Sequence, residues 1–241
     1  MRHALLADIH ANLHALEAVL EDARAHGCTA FHGLGDVVGY GAFPIECIDL
    51  LRGLGGVCVL GNHDEAAAGE MTLEDFGDDA AASLLWTRSV LDGERRMWLS
   101  TLRMVRQVRG ITLVHASLDT PGAWGYVSSP SEAELSMACQ VTPLCFIGHT
   151  HLPRVFSRGE GGIHPPWEEG WRVPADGKFL VNSGSVGQPR DGDPRACYVI
   201  LDEEEGVVLL RRVAYDCAAA SHAVRGAGLP ERLAKRLLIG S

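Results

Sequence analysis

Residues 3–12 read HALLADIHAN, a short apolar run that stops at an acid, an isoleucine and a histidine. A run of this length suits a strand, and its polar residues stand where the chain would leave a sheet. The next segment, NLHALEAVLEDARAHG (12–27), puts Leu13, Leu16, Val19 and Leu20 at helical spacing. Asn12 can cap that helix and Gly27 can end it. The pattern then recurs: TAFHGLGD (29–36) is a strand running into a loop, Pro44 opens a helix through Leu51, and GVCVLGNHD (56–64) is a further strand ending in polar residues. This β-α-β-α-β order predicts a parallel sheet. In such sheets ligands gather beyond the carboxyl ends of the strands, where the polar residues stand here.

Further along, DDAAASLLWTRSVL (78–91) and GERRMWLSTL (93–102) read as two helices, with Trp86, Trp98 and Leu99 as core. The rhythm then changes to short strands: RMVRQVRG (103–110), ITLVHAS (111–117), LCFIGHTH (144–151), PRVFSR (153–158), KFLVNSGS (178–185), RACYVILD (195–202) and GVVLLRRV (206–213). Turn signals at Arg109-Gly110 and Glu204-Glu205-Gly206 predict hairpins, hence an antiparallel portion. The mixture fits a two-sheet core covered by helices. GEGGIHPPWEEG (159–170) reads as an exposed excursion whose His164 has no assigned role, and LPERLAKRLL (229–238) as an amphipathic helix against the body. No repeat or low-complexity segment interrupts the chain.

The 241 residues, 46% hydrophobic and 22% charged, are expected to form one domain over 1–241. A formal net charge of −10 speaks against an extended nucleic-acid surface, which needs clustered Lys and Arg. Seven cysteines without a CxxC pair predict neither a disulfide framework nor a cysteine zinc site, so they read as reduced and mostly buried. With no signal-peptide pattern and no long apolar span, a cytoplasmic protein with no membrane partner is expected. A homo-oligomer is compatible with the sequence.

Five apolar strands end in metal-type ligands: LLADIHAN (5–12), HGLGDVVGYG (32–41), CVLGNHDE (58–65), TLVHAS (112–117) and FIGHTH (146–151). Asp8 and Asp36 offer carboxylate oxygen, Asn62 amide oxygen, and His10, His115, His149 and His151 imidazole nitrogen. Hard oxygen mixed with borderline nitrogen, without thiolate, suits Mn, Fe, Zn or Co. In an extended segment residues i and i+2 point to one side, so Asp8 and His10 can converge, as can His149 and His151. Seven donors exceed the needs of one ion once water has its place; two ions bridged by a carboxylate account for them better, with Asp36 the candidate bridge.

The ordered set D-x-H (8–10), G-D (35–36), G-N-H-D (61–64), V-H (114–115) and G-H-T-H (148–151), with NSGSVGQPRDGDPRACYVIL (182–201) as a closing segment, resembles the calcineurin-like metallophosphoesterases, in particular their small bacterial phosphodiesterase branch. The resemblance implies an α/β fold, a four-layer α/β/β/α sandwich of two mixed sheets flanked by helices, known as the metallo-dependent phosphatase fold. It implies Asp8, His10, Asp36 and His151 at one metal, Asp36, Asn62, His115 and His149 at the other, and His63 as a catalytic residue. The cofactors expected are two divalent ions, Mn first, with Fe, Zn, Co or Ni as substitutes.

Two such ions lower the pKa of a shared water and stabilise charge on the phosphoryl oxygens, so the reaction expected is phosphodiester hydrolysis by a metal-bridging hydroxide on a small substrate. Monoester or phosphoprotein hydrolysis and cleavage of dinucleoside polyphosphates are the alternatives; a non-enzymatic scaffold is disfavoured because no ligand is missing. Asn62, His63 and Arg190 are the substrate-binding candidates, and the loop NSGSVGQPRDGD (182–193) could meet an anion through its amides. For Arg190 an ion pair with Asp191 or Asp193 is the preferred reading. Tyr40 reads equally as pocket wall or packing, and Ser117 and Ser183 as turn residues.

Overall fold

A computed structural model describes residues 1–158 and 170–241 of the protein; the excursion at 159–170, apart from Gly170, lies outside the described residues, as does His164. The first half comprises β1 (Arg2–Leu6), α1 (Leu13–Ala25), β2 (Cys28–Gly33), α2 (Pro44–Gly53), α3 (Asn62–Ala68), α4 (Asp78–Val90) and α5 (Gly93–Thr101). The second comprises β3 (Val105–Val108), β4 (Ile111–Val114), α6 (Pro130–Cys139), β5 (Leu144–Ile147), β6 (Arg154–Ser157), β7 (Trp171–Arg172), β8 (Phe179–Asn182), β9 (Ala196–Asp202), β10 (Val207–Val213), α7 (Cys217–Gly226) and α8 (Glu231–Ile239). As expected from its capping side chain, Asn12 accepts from the Ala15 N–H and starts α1.

The strands form two five-stranded sheets, ordered β2-β1-β9-β10-β7 and β3-β4-β5-β8-β6. Both are mixed: β1 runs parallel to β2 and antiparallel to β9, while β4, β5 and β8 run parallel between antiparallel β3 and β6. Both predicted hairpins form, β3-β4 across Arg109-Gly110 and β9-β10 across 203–206. The layering follows from period-two alternation on strands buried on both faces. Leu5, Val199, Leu201, Phe146 and Val181 fill the space between the sheets. The alternate residues Ala4, Leu6, Tyr198 and Ile200 face the helices on one side, and Cys145, Ile147 and Leu180 meet Ala133 and Met137 of α6 on the other. The result is the predicted helix, sheet, sheet, helix sandwich.

One predicted strand is absent. GVCVLGNHD contributes only isolated bridges, Gly33 to Cys58 and Val59 to Arg103, and Asn62 opens α3. The reason is local: the Asp64 carboxylate accepts from the Gly61 N–H at 3.1 Å, which starts a helix. α7 and α8 pack on each other through Ala220, Val224, Leu233 and Leu237. Among the described residues no helix is long and apolar enough to cross a membrane. The cysteines are free thiols, four of them buried, and Cys139 is exposed. Trp98 and Leu99 pack in the core as expected, and Trp86 packs beside α7 and α8.

Candidate metal centre

β1, β2, β4 and β5 all end facing one region, and the loops leaving them carry the candidate ligands. The backbone there is not extended, contrary to the alternation argument. Asp8 and His10 have φ of 52° and 48°, and His149 and His151 have φ of 67° and 60°. Side chains one residue apart still converge, but through left-handed turns that cost energy for non-glycine residues. Hydrogen bonds from Asp8 N to the Gly35 carbonyl (3.1 Å) and from His10 N to the Asp36 carbonyl (2.9 Å) hold the first loop on the second. Gly148 explains the close approach of the last: a Cβ there would stand 2.5 Å from Asp8 Oδ2.

The side chains gather into three overlapping groups, Asp8 with His10 and His151, His10 with Asp36 and His63, and Asp36 with His115 and His149. His151 Nε2 lies 3.3 Å from Asp8 Oδ1, and His115 Nε2 lies 3.4 Å from Asp36 Oδ2. Asp36 Oδ2 is also 3.7 Å from His10 Nε2, so this carboxylate stands between the groups, as the bridging assignment requires. All of these residues are buried. The amide oxygen of Asn62, also buried, has no hydrogen-bond partner.

The donors are set up for cations. Each imidazole has one ring nitrogen against a backbone carbonyl: His10 Nδ1 on Val38, His115 Nδ1 on Leu34, His151 Nδ1 on Gln188 and His149 Nε2 on Trp124. With the proton there, the inner nitrogen turns a lone pair into the cluster. His10 Nε2 and His151 Nε2 then face each other at 3.2 Å, an arrangement a shared cation relieves. Asp8 Oδ1 is buried without a partner, a costly state for a carboxylate oxygen unless it binds a metal. These residues fit a pair of divalent ions.

The electrostatics carry the same demand. Burial opposes ionisation of Asp8 and Asp36, but the surrounding imidazoles outweigh it and hold both below the usual carboxylate range, with His151 foremost for Asp8 and His115 for Asp36. Burial lowers His10 well below its ordinary value and takes His149 to about 4. His115 is the exception: burial pulls it down, but Asp36 and Asp8 lift it to about 9. Two buried carboxylates require positive charge beside them, which divalent ions would supply.

Several supporting residues lie inside the quoted motifs, but sequence gives them no role of their own. Asp64, fully buried, accepts from Val37 N (2.9 Å), Val38 N (3.2 Å) and Gly61 N (3.1 Å), joining the Asp36 loop to the Asn62-His63 segment. Asn182 donates to the Gly148 carbonyl (2.7 Å) and to Thr150 Oγ1 (3.0 Å), fixing the loop of His149 and His151. Ser185 Oγ donates to the Asp8 carbonyl. The 182–193 loop therefore does not offer the anion-binding amides expected of it: Val186 N and Gly187 N bond to the Ala7 and Asp8 carbonyls, and Gln188 N to Ser185. The preferred ion pair for Arg190 is also absent. Asp191 pairs with Arg212 and Asp193 with Arg195, while Arg190 meets Gln188 Oε1 (3.1 Å) and the Tyr40 hydroxyl (3.4 Å).

His63 borders the cluster. Its backbone N–H donates to Asp36 Oδ1 at 2.9 Å, and its ring packs against Tyr40 and His10 at 4.5 and 4.8 Å between centroids. Burial lowers its pKa to about 4 against the pull of Asp36. A cleft of about 360 Å³ opens above, lined by Asn62, His63, His149, Tyr40, Trp124 and Tyr126 among others. Tyr40 is thus both wall and packing partner. Tyr126 stacks on His149 with centroids 4.3 Å apart, and Trp124 lies edge-on to His115. Sequence reading passed over both aromatics because they lie in an irregular segment with no period to mark them.

Comparison with known proteins agrees with this geometry. An uncharacterized protein of Methanocaldococcus jannaschii is 37% identical over 241 residues, spanning 98% of this chain and 97% of its own length. The crystal structure of a metallophosphoesterase from Sphaerobacter thermophilus is 40% identical with a TM-score of 0.90, covering 100% of this chain and 99% of that one. A hypothetical protein from Pyrococcus horikoshii, 22% identical with a TM-score of 0.81 over 100% of this chain and 98% of its own, shares the fold. Residues 1–206 match the calcineurin-like phosphoesterase superfamily domain, and the chain belongs to that superfamily.

Proposed function

We propose that this protein hydrolyses phosphodiesters at a centre of two divalent ions, manganese being the physiological metal. Asp8, His10, Asp36 and His151 would hold one ion, and Asp36, Asn62, His115 and His149 the other. The observation that carries the reading is the convergence of inner imidazole nitrogens on two buried carboxylates, each of the four rings being anchored by its outer nitrogen. When bound, two such ions supply an acidified water and neutralise phosphoryl oxygens during in-line displacement.

The chain's own groups do the rest. Asn62 and His63 sit at the floor of the cleft and orient the phosphoryl group. His63 also gives a hydrogen bond to the departing ester oxygen, a role that the placing of its ring beside His10 and Tyr40 supports. Trp124, Tyr126 and Phe76 line the cleft and offer apolar surface to the organic group of the ester. A cleft with such walls favours a small diester, whose two organic substituents both need a surface.

The test is hydrolysis of bis(p-nitrophenyl) phosphate and p-nitrophenyl phosphate by chelator-treated protein before and after adding Mn. Metal-dependent turnover with the diester preferred supports the reading. Preference for the monoester overturns the diester assignment, and no turnover of either with Mn, Zn, Fe or Co overturns the enzyme.

A further inference from the structure

A second cleft of about 500 Å³ adjoins the first and shares Tyr40, Gly77 and Ala80 with it. Its walls bring together three guanidinium groups, Arg190 from the loop after β8 and Arg232 and Arg236 from α8. The two on α8 are four residues apart, so they stand one turn above each other on one side of the helix. The apolar side, Leu233, Ala234 and Leu237, is packed against α7, which fixes that orientation. Both helices lie beyond the residues that match the superfamily domain.

The cluster is poorly neutralised for a protein of net charge −10. Arg232 has only Asp79 at 4.0 Å, and Asp78 is the other acid at the wall. Arg190 bonds to neutral oxygens alone, and its Nε is buried without a partner. Arg236 forms no ion pair among the described residues; burial first, then the charges of Arg190 and Arg232, lower its pKa. Opposite them, α4 begins at Gly77 with no side chain capping its amides, leaving donors on that wall too. Like charges held together in this way are unfavourable unless an anion completes them.

We infer that Arg190, Arg232 and Arg236 form a subsite for a second phosphate group, so that the substrates are small phosphoesters carrying a further phosphate beyond the one attacked. Tyr40 links the two clefts. Its ring packs against His63 at 4.5 Å between centroids and lies 5.7 Å from the Arg190 guanidinium, so one aromatic ring touches both the catalytic cleft and the arginine cluster. Forked guanidinium donors suit phosphate oxygens.

This inference rests on the phosphoesterase reading for its substrate, and two measurements separate them. The first needs no catalysis: inorganic tripolyphosphate is titrated calorimetrically into chelator-treated full-length protein and into the double variant Arg232→Ala/Arg236→Ala, with melting curves to verify folding and Arg232→Gln as a milder variant. The double variant leaves the catalytic cluster untouched, so the difference between the two proteins reports the arginines. The double variant should bind at least about tenfold more weakly, the worth of one charge-assisted hydrogen bond. Equal binding by both, or none by the wild type, overturns the subsite.

The second compares kcat/KM of the Mn-loaded enzyme for the dinucleotide thymidylyl-thymidine with and without a 5′-terminal phosphate. The ratio should exceed about ten in the wild type and fall towards one in the double variant. A ratio near one in the wild type, or one unchanged in the variant, overturns the inference. If no ester is turned over at all, the phosphoesterase reading fails while the calorimetry still decides whether the arginines bind phosphate.

Discussion

Asp64→Ala tests the claim that a buried carboxylate outside the ligand set holds the centre together. Asp64 is fully buried and accepts three backbone N–H groups, from Val37, Val38 and Gly61. Removing it strands all three donors, each at a cost of about 1–3 kcal/mol, so the variant should lose about 3–9 kcal/mol, or about 6–36 °C in Tm. Asp64→Asn keeps one oxygen for Val37 and Val38 but turns an NH2 towards the Gly61 N–H, so about one bond's worth, 1–3 kcal/mol, should go. The consequence for function runs through Asp36, which directly precedes the two donor amides of Val37 and Val38 and itself accepts from the His63 N–H. Loosening the Asp36 loop misplaces the carboxylate common to both ion positions, and Mn content measured by elemental analysis should fall below two per chain in the order wild type, Asn, Ala. Urea denaturation and metal analysis on the three proteins provide the readout. An alanine variant with wild-type stability and full metal content would refute the reasoning.

Adding Mn to chelated protein should raise its stability by about 3 kcal/mol at a hundredfold excess over Kd, and Asp36→Ala should abolish the gain; differential scanning calorimetry decides. His63→Ala should slow turnover by about 10²–10⁴-fold while leaving metal content near normal, and an emptied centre would make His63 a ligand instead. His32, buried beside His3 at 3.1 Å, has its pKa lowered by burial to about 4. A depressed folded pKa means that the unfolded chain takes up the proton first, so stability is complete above pH 6.5 and is lost as pH falls towards 4. Between pH 7 and pH 5 this amounts to about 2 kcal/mol, and His32→Leu should remove that part of the pH dependence seen in urea denaturation.

The sandwich was legible because its strands alternate strictly between two buried faces and its glycine turns are short. Where the reading failed, the same residues carried two signals. Gly61 to Asp64 look like the polar end of a strand, yet Asp64 also caps a helix, and the cap prevails because its carboxylate has two further amides to satisfy. α6 has a capping box at Ser129 and Glu132, and α7 a cap at Asp216, but small residues such as Ala133, Ser136 and Ala220 supply little apolar period to follow. The candidate donors other than Asn62 could be picked out because each follows the end of a strand. The residues that orient those donors could not, since Asn182 and Ser185 act on backbone groups brought close only by folding. Arg190 shows how local sequence misleads: carboxylates follow it directly, but Arg212 and Arg195 take them.

The left-handed residues bear on how the centre achieves its shape. Asp8, His10, Asp36, His149 and His151 all have positive φ, and none is glycine. Such conformations persist only where the surroundings over-determine them. Here the determinants are protein groups: the amides of Asp8 and His10 on the Asp36 loop, Asn182 on the Gly148 carbonyl, Gly187 N on the Asp8 carbonyl. The outer imidazole nitrogens are likewise held by main-chain carbonyls. Protein groups on several elements thus hold these loops. The chain itself bears the cost of the strained backbone and of the facing lone pairs, and a cation entering the cluster relieves the second without having to impose the first. Pre-organisation of that kind conserves binding energy that would otherwise go into ordering. The cluster itself is made by the ends of two sheets, with Tyr40, Trp124 and Tyr126 on the cleft walls around it.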